Sequence, residues 1–346
     1  MRALFLIFIL YNLSACAYFA KTPVMLKTGK ITIGDKVKDL ETGKTTTMVK
    51  SIYNNEFCHK SIISPDGMMI ASISSVWDVD EPIFFFRITE INDNKKIKGI
   101  NSSDFISFDW SPDSHYVALE NKEYQTNSSE FFILNVKNSV EMWKVNISSP
   151  SIELLSIEMW SQTGENIYFS GFSNNNETDN NKQLFRYNLL TGSLKQIGNN
   201  PDMLDVAVAY NESLIAYRQI KVKREESADQ KTVFLSNLKD SVYLMDMNGE
   251  NKELLINANT SNHSIFWSPD STWVGYWKMP NFAWEKEEYF LHAINIDSKK
   301  RMSLYHKEKK TKEPHWWKYQ EENPPNLVDI LKNAKGLTRF QGNLYK

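Results

Sequence analysis

Three nearly identical segments divide the 346-residue chain and limit what it can become: Ile63-Ser64-Pro65-Asp66-Gly67, Trp110-Ser111-Pro112-Asp113-Ser114 and Trp267-Ser268-Pro269-Asp270-Ser271. Serine, then proline with its φ preset, then aspartate is the chemistry of a type I β-turn, and glycine at the fourth place eases the exit into the next strand. Each copy is followed two residues on by a β-favouring stretch: Ile70 to Ile73, Tyr116 to Leu119, and Trp273 to Trp277. Every copy therefore predicts a hairpin, with an aromatic or aliphatic residue entering its turn. Two weaker copies complete the series, Trp160-Ser161-Gln162-Thr163-Gly164 and Ala209-Tyr210-Asn211-Glu212-Ser213. Aligned on Ser64, Ser111, Ser161, Ala209 and Ser268, the steps are 47, 50, 48 and 59 residues. A period near 50 means supersecondary units that bury their faces only against one another. The charged insert from Lys221 to Lys231 accounts for the long last step, as an extended loop between strands.

A second hairpin element alternates with the first. It reads Asp39-Leu40-Glu41-Thr42-Gly43, Asn188-Leu189-Leu190-Thr191-Gly192 and Asp246-Met247-Asn248-Gly249, and more loosely recurs near Asn92, Asn135 and Asn295. That makes six outer hairpins against five inner ones. Four strands per period, with no amphipathic helix between Val24 and Tyr305, is the pattern of β-propeller blades. The repeats resemble the WD40-like blades of TolB-type propellers, whose mark is an aromatic-Ser-Pro-Asp-Gly turn and a following Ile-Ala-aromatic strand. The resemblance runs from about Lys30 to His306 and implies the fold rather than an activity. Conventional WD40 repeats fit less well, because Trp77-Asp78 is the one Trp-Asp pair in the chain. The first hairpin has no inner partner unless the segment around His315-Trp316-Trp317 supplies it. The expected fold is all-β, a six-bladed β-propeller of four-stranded blades closed by both chain ends. A short helix from Pro325 to Leu331 follows, stopped by Gly336, with Leu327, Ile330 and Leu331 on one face. The namesake of the family carries a separate α/β domain ahead of its propeller, so its partners do not transfer.

The N-terminus reads as an address. Arg2, an apolar run from Ala3 to Tyr11 and a small-residue region describe an export signal, too short to span a bilayer core that needs about 20 residues. Leu13-Ser14-Ala15-Cys16 resembles a bacterial lipobox, which implies that Cys16 is acylated and begins the mature chain. Ala15-Cys16-Ala17 also satisfies ordinary signal cleavage. The expected organisation is signal peptide 1–15, anchor and linker 16–29, propeller 30–320 and helical tail 321–346. Lipoprotein sorting with Ala17 after the anchor implies the outer membrane, facing the periplasm. Acylation of Cys16 would leave Cys58 as the one thiol of the mature domain, a buried and inert one by expectation. Seven N-x-[ST] sequons follow the signal, at Asn101, Asn127, Asn146, Asn176, Asn211, Asn259 and Asn262, and would be glycan sites in a secreted eukaryotic chain, although an asparagine-rich sequence throws up such triplets by chance.

Composition excludes some functions. With 40 Lys+Arg against 42 Asp+Glu there is no basic footprint for nucleic acid. Glu41-Thr42-Gly43-Lys44-Thr45 imitates a P-loop, but Lys38 stands where the earlier glycine is needed. Gly171-Phe172-Ser173-Asn174-Asn175 lacks the closing glycine of a nucleophile elbow. The six histidines, His59, His115, His263, His292, His306 and His315, show no paired ligand spacing. Asp66, Asp113 and Asp270 read as turn stabilisers, and Trp110, Trp160 and Trp267 as packing between blades. No catalytic, cofactor or metal residue is expected. The leading expectation is a lipid-anchored, non-enzymatic propeller that binds a protein of the cell envelope. Its rivals are an envelope hydrolase or lyase with a metal or carboxylate site in the channel, and a secreted glycosylated propeller.

Overall fold

Each Ser-Pro-Asp copy turns one strand back on the next, and a third and fourth strand then complete an antiparallel sheet. The computed structural model describes residues 30–33, 36–39, 42, 44–47, 56–77, 82–91, 96–101, 105–123, 128–136, 142–147, 152–173, 182–198, 203–226, 233–257, 262–278, 289–307, 314–316, 325–335 and 337–339. Three short strands lead: β1 (Lys30–Ile33), β2 (Lys36–Asp39) and β3 (Thr45–Thr47). The first blade is β4 (Glu56–Ile63), β5 (Met69–Trp77), β6 (Pro82–Glu90) and β7 (Lys96–Asn101). The second is β8 (Phe105–Trp110), β9 (Tyr116–Glu123), β10 (Ser128–Asn135) and β11 (Met142–Val145). The third is β12 (Ile152–Trp160), β13 (Asn166–Ser173), β14 (Lys182–Asn188) and β15 (Ser193–Ile197). The fourth is β16 (Met203–Val208), β17 (Leu214–Glu226), β18 (Val233–Asp246) and β19 (Glu253–Asn257), and the fifth β20 (Asn262–Trp267), β21 (Trp273–Lys278), β22 (Tyr289–Asn295) and β23 (Arg301–Lys307).

Five blades of four consecutive strands are therefore present, not six. The leading strands form a different kind of sheet, ordered β24-β1-β2-β3, with β24 (Pro314–Trp316) drawn from the other end of the chain. Ile31 pairs with Trp316 and Thr32 with His315. This sheet departs from the repeat because no Ser-Pro-Asp hairpin joins its two innermost strands and each of its strands is only three or four residues long. It lies against β20 of the fifth blade and β4 of the first.

Both faces of a blade are buried, so alternate residues of one strand serve two different cores. Val117 and Leu119 of β9 pack with Phe86, Phe108 and Trp110 between the first and second blades. Tyr116 and Ala118 point the other way, into a layer with Trp160, Phe169 and Tyr187 of the third blade. A third layer joins the third and fourth blades through Tyr168, Val206 and Tyr217, and a fourth joins the fourth and fifth through Ala216, Trp267 and Tyr276. Two-sided burial explains why these strands read as continuous apolar runs rather than as alternation. Trp110, Trp160 and Trp267 are 1%, 0% and 2% exposed. The free thiol of Cys58 is buried as well.

Two further elements depart from expectation. The insert from Lys221 lengthens the strands instead of a loop: β17 and β18 stay paired from Ile220↔Asp240 out to Glu226↔Val233. Beyond the ends of β16 and β19 they run on as a two-stranded ribbon. The C-terminal helix α1 (Leu327–Asn333) is capped by the Asn326 side chain, which accepts from the Val328 N–H, with Asp329 in its first turn and Lys332 in its last. It stops before the expected glycine, since Ala334 is already extended; Gly336 lies outside the described residues. A last strand, β25 (Leu337–Arg339), adds to the outer edge of β11, making the second blade five-stranded.

Replacing Trp267 by Ala removes a fully enclosed ring and an indole N–H that donates to the Ala207 carbonyl at 2.9 Å. Urea unfolding is expected to register a loss of about 3–5 kcal/mol; a change within about 0.5 kcal/mol, the range of an ordinary surface substitution, would contradict the inter-blade layer.

Candidate functional site

The strand order sorts the two rims of the ring. The innermost strand of each blade runs toward its inner-hairpin turn, and antiparallel pairing places the outer hairpins at that same rim. We call it the turn rim. The second strands end at the opposite rim, at Trp77, Glu123, Ser173, Glu226 and Lys278, and the β17–β18 ribbon projects there.

At the turn rim the geometry repeats closely. In all five copies the fourth residue's N–H donates to the carbonyl of the first, at 2.8 to 3.0 Å. That fourth residue is left-handed every time: Gly67, Ser114, Gly164, Glu212 and Ser271 have φ of 73, 62, 76, 52 and 57°. Ser64 donates to Asp66 Oδ1 at 2.6 Å while its Oγ accepts the Met69 N–H, and the Ser111–Asp113–Tyr116 and Ser268–Asp270–Trp273 sets repeat the arrangement. Pro65, Pro112 and Pro269 occupy the second position of these turns. In the degenerate third copy Thr163 takes the aspartate's place beside Ser161.

Neighbouring turns are stitched together at the repeat spacing. The Ser114 hydroxyl accepts from the Asp66 N–H at 2.9 Å, and Ser271 from the Asn211 N–H at 3.1 Å. Trp110 Nε1 donates to the Ile62 carbonyl, as Trp267 does to Ala207. Trp160 differs: its indole serves its own turn through the Gly164 carbonyl, and its backbone N–H crosses to Asp109 Oδ2. The turn markers thus lie one set per blade, in contact with their neighbours, and do not converge on one point.

Toward the axis, each of the five innermost strands carries a β-bulge against its second strand. The skipped residues are His59, Ile106, Leu204 and Ser264 in four of them, and both Leu155 and Glu158 in β12. A bulge re-aims the side chains next to it. Around this level sit polar groups that sequence reading did not select. Ser107 donates to Glu120 Oε2 at 2.5 Å, Ser129 donates to Oε1, and the Ile157 N–H of the next blade donates to Ser107. Glu120 is 0% exposed, so this carboxylate joins two blades from inside. Glu158 accepts from Ser170 and pairs with Lys182 at 3.1 Å, Asp205 accepts from Arg218 Nε at 2.7 Å, and His59 Nε2 meets Ser75 Oγ at 2.7 Å. Lys60 lies 5.5 Å from the Phe108 ring centre, a cation–π contact between blades. Burial and the negative charge of Asp109 both push the Tyr210 hydroxyl pKa upward, and burial together with a hydrogen bond to Glu212 does the same at Tyr168. Among the described residues no three His, Cys, Asp or Glu side chains gather where one ion could touch them. Cys16 lies outside the described residues.

No family model matches the sequence, and no curated protein does. Solved structures do match in fold. TolB from Acinetobacter baumannii superposes with a TM-score of 0.58 at 15% identity over 83% of this chain, which spans 66% of that protein's length, just under two thirds. A protein described as putative TolB from Agrobacterium tumefaciens gives 0.54 at 9% identity, covering 84% of this chain and 98% of that one. Oligogalacturonate lyase from Vibrio parahaemolyticus gives 0.54 at 12% identity, covering 78% and 74%. Likeness at such identities is likeness of architecture, and the chain folds as a β-propeller of the kind these proteins share.

Asp270 makes the turn rim sensitive to acid. Burial opposes its ionisation, but hydrogen bonds from Ser268, the Thr272 hydroxyl and the Thr272 N–H outweigh that and hold its pKa below the ordinary aspartate value. A carboxyl depressed on folding contributes stability that is complete above about pH 4 and is lost as the pH falls through its folded value. The stability gap between wild type and Asp270→Asn, measured by urea unfolding across a pH series, is expected to be widest near neutrality and to close below about pH 4; a gap independent of pH would refute this.

Proposed function

We propose that this protein is an exported, lipid-anchored propeller of the cell envelope that binds another protein without catalysing a reaction. In this reading Cys16 carries the acyl chains, whose methylenes add about 0.8 kcal/mol each on burial in a bilayer. The ring stands away from an outer-membrane leaflet, facing the periplasm.

The observation that carries the binding role is the β17–β18 ribbon. Its strands pair with each other past the last partners of β16 and β19. A two-stranded hairpin is marginal alone in water, and its open edges offer backbone donors and acceptors to another chain. The polar groups of the inner strands support the same reading, because Glu120, Glu158 and Asp205 are engaged in bonds between strands or blades. The rival reading, a lyase, draws on the similarity in fold to oligogalacturonate lyase.

A photo-crosslinking amino acid placed at Lys223 or Arg224 in the native host is expected to capture a discrete protein partner, while the same probe at Ser193, on an outer strand of the third blade, captures none. Equal yields from the three positions would remove the ribbon from the argument. Intact-mass measurement of the membrane-bound form should find a diacylglyceryl group on Cys16; an unmodified chain beginning at Tyr18 would remove the anchor. Release of unsaturated product from oligogalacturonate, with or without a divalent cation, would favour the lyase instead.

A further inference from the structure

The C-terminal segment packs onto the ring as a ligand packs into a site. The sheets of the second and third blades are each complete in four strands before residue 200, so α1 and β25 arrive after both are built. A helix of seven residues does not hold its shape unaided in water. This one is held by its seat: Leu327 is 0% and Leu331 5% exposed, buried among Tyr116, Phe131, Trp160 and Phe185 at the seam between the two blades. The seat is shaped for them. A Cβ at Gly164 would stand 2.3 Å from Leu327 Cδ2 and 3.2 Å from Pro325 Cγ, and the left-handed φ of Gly164 further restricts the position to glycine.

The strand half of the segment is gripped by the backbone. Leu337, Thr338 and Arg339 pair antiparallel with Val145, Lys144 and Trp143 along the outer edge of β11, and Asn146 Nδ2 donates to Thr338 Oγ1 at 2.5 Å. An edge strand added by main-chain pairing, with its side chains in adjoining pockets, is the general mode by which sheets capture extended peptides. Here two such grips, a leucine pair in a seam and a strand on an edge, act on one stretch of 15 residues, 325–339. Among the described residues, the second blade alone of the five has its outer edge occupied in this way.

We propose that this stretch is an exchangeable clasp, and that the seam and the β11 edge of one copy accept the 325–339 segment of a second copy. The contacts that hold the segment are independent of which chain it belongs to, because no strand of the second or third blade is interrupted to receive it. Docking within one chain has the advantage of a high effective concentration, in the millimolar range for a short connection, so exchange shows itself when copies are concentrated to that order. This inference stands apart from what the opposite rim binds.

Variants of the full chain in which Cys16 and Cys58 are replaced by Ala and one cysteine is introduced test it. Lys144→Cys and Thr338→Cys are placed on differently tagged copies, mixed at high concentration, diluted and oxidised mildly; the double variant in one chain serves as the geometric control. The expected result is a disulfide-linked heterodimer carrying both tags, lost when an excess of synthetic 325–339 peptide is present during mixing, while the double variant closes within its own chain on dilution. A double variant that closes while the mixture gives no heterodimer would show the clasp to be permanent and overturn the proposal. A double variant that fails to close would overturn the β11–β25 pairing on which it rests. A heterodimer that persists unchanged with excess peptide would place the contact elsewhere and equally overturn it.

Discussion

The architecture rests on sheets that are apolar on both faces. A blade of four short strands cannot survive with either side in water, and each of the four layers between neighbouring blades takes alternate residues from the strands it separates. Val117 and Leu119 belong to one layer while Tyr116 and Ala118 belong to the next, so a slip of one residue in β9 would empty two layers at once. Stability is therefore held in the seams more than in any blade, and the tryptophans sit in those seams with their indole N–H groups hydrogen-bonded.

The hydrogen-bonded stitching at the turn rim complements that packing. Positive φ at the fourth turn position costs a non-glycine residue of the order of 1 kcal/mol. Ser114 and Ser271 adopt it nonetheless, and each uses its hydroxyl to accept a backbone N–H from the preceding blade. Glycine would relax the turn and lose the stitch. Glycine stands there at positions 67 and 164, and the space left at Gly164 is filled by Leu327 of the C-terminal segment.

Much of this was legible in the residues. Turn chemistry located all five inner hairpins, the Asn and Asp signals marked the outer ones, and the surplus outer hairpin pointed to His315 and Trp316 as partners for the first strand. The count of full blades was not, because a sheet assembled from the two ends lacks the Ser-Pro-Asp hairpin that defines a repeat. The bulges were invisible for a clearer reason: His59, Ile106, Leu155, Glu158, Leu204 and Ser264 share no chemistry, only a distance of three to six residues before the turn. The Glu120 network could not be read either, since one of its donors is the backbone N–H of Ile157, which any residue would supply. The ribbon looked like a loop because its charged residues mask a pairing that only the partner strand reveals.

The pairing of Ile31 with Trp316 has a kinetic side. Residues nearly a whole chain apart must find each other before the terminal sheet exists, and contacts of such sequence separation form slowly. A polypeptide delivered N-terminus first, through a ribosome or a translocation pore, cannot complete that sheet until its last tenth has emerged. Until then the ring stays open between the fifth blade and the first.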